Sequence, residues 1–140
     1  MVTLSLFRFE KPHHKLWAFI MMGLARPFLN SMPNLIFWKL LGSGTGEGFT
    51  PKPNWGVYAI LCVWQEHTNI EKTLKEFHVF RRYHEMAAES VTIHLEPCAT
   101  RGAWSGQTPF HAKNNRDTGP VAVLTRATLR WNAMLQFWKQ

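Results

Sequence analysis

The chain opens on a strict alternation. Val2, Leu4 and Leu6 are apolar against Thr3 and Ser5, and Phe7 and Phe9 then flank Arg8, so residues 2–9 read as a strand. Over residues 15–32 the period lengthens. Leu16, Phe19, Ile20, Leu24 and Phe28 recur at steps of three and four, the spacing of one helix face, and Pro27 predicts a kink or an early end. Residues 35–41 form another apolar run. The stretch 42–48, Gly42-Ser43-Gly44-Thr45-Gly46-Glu47-Gly48, is expected to be loop, because alternating glycines specify neither a helix nor a strand interior. Residues 54–64 predict a strand. Residues 69–88 predict a second helix, with Ile70, Leu74, Phe77, Phe80 and Arg81 at helical spacing. In 89–97, Val91, Ile93 and Leu95 alternate with Thr92, His94 and Glu96, which predicts a further strand.

The resulting order is β-α-β-β-α-β, a ferredoxin-like pattern in the α+β class. A polar loop over 110–119, a strand over 121–124 and a short helix over 129–139 then echo the opening strand and helix. Residues 1–109 are therefore expected to form one ferredoxin-like repeat, and 110–140 the loop, first strand and first helix of an incomplete second one.

Composition narrows the class. At 140 residues the chain suffices for one domain, and 46% hydrophobic against 18% charged residues exclude compositional disorder. Lys and Arg outnumber Asp and Glu by 16 to 9, which suits an anionic partner: nucleic acid, an acidic membrane surface or a propionate-bearing cofactor. The aromatic residues sit in apolar runs rather than among Lys and Arg, which favours a core or greasy pocket over an RNA surface. Cys62 and Cys98 stand alone, without zinc spacing, which excludes a disulfide framework. The longest apolar stretch, 16–25, is about half of a membrane span, and no signal-peptide layout opens the chain. A cytoplasmic protein is expected, with peripheral attachment to a membrane as a further option.

Candidate chemistry is sparse. The glycine-rich stretch lacks the lysine and hydroxyl residue of a phosphate loop, so it reads as a turn or as a flap over a large ligand, flanked by Phe37, Trp38, Phe49 and Trp55. Glu47 is either a functional carboxylate or a solvated loop charge. Of the 7 histidines, adjacent His13 and His14 point apart, and His78 and His84 share no helix face. His94 is the metal-ligand candidate, with a water-facing position favoured. Cys62 reads as core. Arg101-Gly102-Ala103-Trp104-Ser105-Gly106 sets a cation and a large ring in one turn, suited either to a carboxylate-bearing ligand or to covering the core.

Longer blocks carry a resemblance. Phe37-Trp38-Lys39-Leu40-Leu41-Gly42-Ser43-Gly44-Thr45-Gly46-Glu47-Gly48-Phe49-Thr50-Pro51, followed by Pro53-Asn54-Trp55-Gly56-Val57-Tyr58, resembles the signature block of the spheroidene monooxygenase family. Similarity continues through Phe80-Arg81-Arg82-Tyr83, Glu89-Ser90, Arg101-Gly102, Trp104-Ser105-Gly106 and 119–128. The resemblance implies a dimeric α+β barrel type of ferredoxin-like fold and a haem-dependent monooxygenase. That enzyme would place a keto group on an acyclic carotenoid with dioxygen and an electron donor such as ferredoxin. It implies a homodimer and no nucleic acid. Arg101, Trp104, Lys39 and Trp38 are then expected near the cofactor, and Gly44, Thr45, Gly46, Glu47, Phe49 and Trp55 at the substrate as a flap. Members of the family run beyond the point matching Gln140. The alternative is a truncated or degenerate module that binds haem or a hydrophobic ligand and dimerises without catalysis.

Overall fold

A computed structural model describes residues 1–46, 52–66, 68–112 and 119–124. Its elements are β1 (Val2–Arg8), α1 (Pro12–Leu24), α2 (Arg26–Asn30), β2 (Leu35–Gly44), β3 (Pro53–Trp64), α3 (Ile70–Glu76), α4 (His78–Met86) and β4 (Glu89–Leu95). The strands form one antiparallel sheet in the order β2-β3-β1-β4. Each helical crossover skips one strand: α1 and α2 join β1 to β2 around β3, and α3 and α4 join β3 to β4 around β1. This is the ferredoxin-like fold.

Local chemistry explains where the helices start and stop. Pro12 opens α1, a position where its missing N–H costs nothing. Pro27 cannot donate to Gly23, and the chain breaks at Ala25 into two helices, as the proline predicts. Asn69 caps α3, its side chain accepting from the Lys72 N–H at 3.1 Å. The single helix expected over 69–88 is in fact two. Phe77 is extended (φ −72°, ψ 120°) and re-aims α4, so that Val79, Phe80 and Tyr83 join Ile70 and Leu74 in the core while Arg81 stays exposed.

The glycine-rich stretch also departs from expectation. Gly42, Ser43 and Gly44 lie in β2, opposite Tyr58, Asn54 and Pro53 across a bulge. Pairing with β3 supplies the order that glycine lacks by itself, and the Ser43 hydroxyl donates to the Val57 carbonyl at 3.1 Å. Thr45 continues the hairpin, its N–H donating to the Lys52 carbonyl at 3.0 Å, and Gly46 turns away at φ 82°. Glu47 and Phe49 lie outside the described residues. Residues 121–124 form no strand and are exposed, because no neighbouring strand pairs with them among the described residues. The helix expected over 129–139 lies outside the described residues.

The helices cover one face of the sheet. Beneath them Phe7, Phe9, Tyr58, Ile60, Cys62 and Trp64 pack against Ala18, Leu29, Phe80 and Tyr83, each large side chain contributing about 1.5–3 kcal/mol by burial. Thr3 and Ser5, the polar members of the opening alternation, are fully buried on this face. Their hydroxyls are satisfied: Trp64 Nε1 donates to Thr3 Oγ1 at 2.9 Å, and Ser5 Oγ lies 2.9 Å from Thr92 Oγ1. Burial pushes the Cys62 thiol up to about 12, which suits a core residue and not a nucleophile. The apolar members Val2, Leu4 and Leu6 point the other way.

Candidate functional site

That other face is open and greasy. Register stacks Leu95, Val2 and Val63 across the sheet, then Ile93, Leu4 and Leu61, then Val91, Leu6 and Ala59. Val2, Leu61 and Val63 are buried, but Ile93 and Val91 keep 42% and 55% of their surface exposed. Strand β3 is apolar on both faces, Tyr58, Ile60 and Cys62 on one and Ala59, Leu61 and Val63 on the other, which is the pattern of a strand covered on both sides.

The segment after β4 covers part of this face. Trp104, Phe110 and Phe37 form a ring cluster with centroids 5.9, 6.2 and 6.3 Å apart. A tight turn presents Trp104. Its backbone pairs with Gln107 at 2.7 and 3.1 Å, and Gly102, Ser105 and Gly106 all take positive φ. Gly102 and Gly106 adopt this conformation without strain, whereas Ser105 is held there by its surroundings. Lys39 supplies one such hold: its Nζ donates to Ser105 Oγ at 2.9 Å and sits 5.1 Å from the centre of the Phe37 ring. Between the segment and the sheet is a cleft of about 730 Å³, with Val2, Leu61, Leu95, Arg101, Trp104 and Phe110 in its wall. At the opposite end of the open face, Arg8 grips Glu89 through bonds of 2.8 and 2.9 Å, which holds the Glu89 carboxyl below the usual carboxylate range.

The expected site residues separate into two groups. On the open-face side, Arg101 and Trp104 line the cleft and Lys39 bonds Ser105, the residue next to Trp104. Trp38 does not join them, because neighbouring residues of a strand point to opposite faces; its indole donates to Asn30 Oδ1 at 3.0 Å on the helix side. Trp55 is half-exposed and packs its ring on Phe19 of α1 at 5.2 Å. Gly44, Thr45 and Gly46 form the far end of the β2–β3 hairpin. His94 is exposed at the rim of the cleft, and its register with Thr3 places it on the helix-side face of β4. Phe110 and the row Leu4, Leu6 and Ile93 belong to this face, and no motif of the sequence marks them as site residues. The signal for Phe110 was a lone large ring inside a polar stretch; the signal for the row was the strand alternation itself.

No family model matches the chain. Curated proteins do. It is 41% identical over 98% of its length to a spheroidene monooxygenase of Cereibacter sphaeroides, and covers 43% of that protein. It is 39% identical over 99% of its length to the spheroidene monooxygenase of Rhodobacter capsulatus, covering 58% of it. The chain is a homologue of the spheroidene monooxygenases. A third, from Rubrivivax gelatinosus, is 25% identical over 91% of the chain and 50% of that protein. The chain thus spans about half the length of the spheroidene monooxygenases it matches.

Solved structures resemble it more weakly. A cofactor-independent oxygenase from Streptomyces nogalater has a TM-score of 0.42 at 14% identity, over 67% of this chain and 90% of that one. A dehydrochlorinase from Burkholderia phenoliruptrix has a TM-score of 0.40 at 13% identity, over 69% and 95%. An antibiotic biosynthesis monooxygenase has a TM-score of 0.41 at 14% identity, over 69% and 100%. For this spheroidene monooxygenase homologue the fold rests on its own strand order. Of the blocks that carry the resemblance, Phe80 and Tyr83 lie in the core and 101–106 in the turn over the open face.

Proposed function

We propose that the open sheet face binds the apolar body of an extended polyene, an acyclic carotenoid, for oxygenation. The observation that carries this reading is the apolar face capped at one end by Phe37, Trp104 and Phe110, in a chain whose relatives are named spheroidene monooxygenase. Leu4, Leu6 and Ile93 would line the polyene, and Trp104 would pack against it. In the reaction, one methylene would be hydroxylated twice, each round taking one dioxygen, two protons and two electrons from a ferredoxin-type donor and releasing one water. The geminal diol would lose a further water to leave the keto group. A second copy of the chain, pairing sheet to sheet, would enclose the substrate and cover Val91 and Ile93.

Haem is the cofactor that the family resemblance implies. Lys39 and Arg101 suit its propionates, and the ring cluster suits its macrocycle. The described residues do not fit its iron. His94 lies on the helix-side face, His13, His14, His78 and His84 lie on the helices, and His111 is exposed and does not line the cleft. Among the described residues no cluster of His, Cys, Asp and Glu could hold a metal ion.

Titration of the protein with spheroidene in detergent, followed by the carotenoid absorption bands, tests the reading. Trp104→Ala is expected to weaken binding about tenfold or more, and Trp38→Ala on the other face to leave it unchanged. Equal effects of the two would overturn the assignment to the open face. Binding without an oxygen-dependent product, when donor and hemin are supplied, would mark a binding module.

A further inference from the structure

From Leu16 to Leu24 helix α1 is apolar all the way round. Its inner side, Trp17, Ala18, Met21 and Met22, packs on the core. Its outer side carries Leu16, Phe19, Ile20 and Leu24, continued by Phe28 on α2, each 44% to 60% exposed. These are the positions whose spacing predicts a core-facing stripe. Trp55 extends the patch through its ring contact with Phe19. A helix apolar on both sides is one with something on both sides.

Charge identifies the second partner. From residue 11 to residue 34, the helical segment and its flanks, there is no Asp or Glu, while Lys11, Lys15 and Arg26 are all present. Exposed Lys11 stands at the start of α1, ahead of the apolar stripe, and exposed Arg26 stands between Leu24 and Phe28, its Nε donating to the Met22 carbonyl at 3.2 Å. The nearest acid before this stretch, Glu10, is held by Arg8 at 2.9 Å. Exposed aromatics beside basic residues on a helix lying flat is the composition that binds the surface of an anionic bilayer. No helix among the described residues is long and apolar enough to cross a membrane.

We propose that the outer face of α1 and α2 docks this protein on an anionic lipid surface, with Phe19, Ile20 and Leu24 entering the headgroup boundary and Lys11 and Arg26 meeting lipid phosphates. The proposal stands on the helix and is independent of the sheet-face reading. A protein docked this way would sit where apolar substrates dissolve.

Co-sedimentation of the full chain with vesicles tests it, comparing phosphatidylcholine alone with phosphatidylcholine holding about 30 mol% phosphatidylglycerol. Binding is expected about tenfold or more tighter on the anionic vesicles, and weaker in high salt. Lys11→Glu with Arg26→Glu should lower it about 20-fold, and Phe19→Ser with Leu24→Ser about 100-fold. Light scattering on the same samples covers the competing occupant. Failure of the wild-type chain to bind anionic vesicles overturns the proposal. So does a self-associated chain that binds no vesicles and that Phe19→Ser with Leu24→Ser makes monomeric, because the face would then belong to a second copy. If the serine variant loses its circular dichroism, the charge variant carries the test, since it touches no buried side chain.

Discussion

The two faces of the sheet are built from the same strands and carry opposite kinds of order. Under the helices, even hydroxyls are sealed in: Thr3 and Ser5 are fully buried and bonded to Trp64 and Thr92. On the open face the residues are more apolar, yet Val91 and Ile93 stay half in water. Burial therefore follows where helices land and not which side of a strand is greasier. The closed face has the features of a core, with packed rings and satisfied donors. The open face has those of a binding surface: an apolar wall, one ring cluster and cations at its edge.

Substitutions of similar size should separate the faces sharply. Phe80→Ala removes a fully buried ring and is expected to cost about 3–5 kcal/mol in urea unfolding, whereas Ile93→Ser should change stability by less than about 1 kcal/mol. Near-equal losses would mean that the open face is as well packed as the core. Thr3→Val tests the polar stitch of the closed face. It leaves the Trp64 indole N–H without its acceptor and should cost about 1–3 kcal/mol, while the same change at exposed Thr108 should cost almost nothing.

Smaller effects sharpen the picture. Tyr83 is fully buried and its hydroxyl meets no hydrogen-bond partner among the described residues, so burial drives its pKa up. Tyr83→Phe should then be neutral or stabilising by about 1 kcal/mol in thermal unfolding, and a clear loss would reveal a partner for the hydroxyl. His84, edge-on to Phe7 at 5.2 Å and bonded to Ser90 at 2.9 Å, has its pKa lowered by burial. The unfolded chain therefore takes up this proton first as pH falls. The contribution of His84 to stability is complete above the unfolded value of about 6.5 and is lost as pH drops through the lower folded value. Urea midpoints for the wild type should decline between about pH 7 and about pH 5 more steeply than those for His84→Gln. Parallel declines would assign the pH dependence to other groups.

Much of the site was legible and its assembly was not. The turn at 101–106 could be singled out because glycines, a cation and a tryptophan share it, and Lys39 because it lies in a long shared block. The resemblance implies a place near the cofactor for Trp38 as well as Lys39, but adjacent residues on a strand point to opposite faces. Phe77 looked like one more residue of a helical stripe, and only packing of two helices against one sheet required the break there.

The sequence by itself determined the order of elements, the kinship to spheroidene monooxygenases and the presence of two amphipathic patterns, because periodicity and motif are local or linear properties. Only the tertiary structure decided which side of each pattern is inside. A period of two says that two faces differ, and a period of three to four says that one stripe stands out. Neither says what covers them. Non-local packing made that choice, burying Thr3 and Ser5, leaving Leu4 and Ile93 on the open face of the sheet, and turning Phe19 and Leu24 outward.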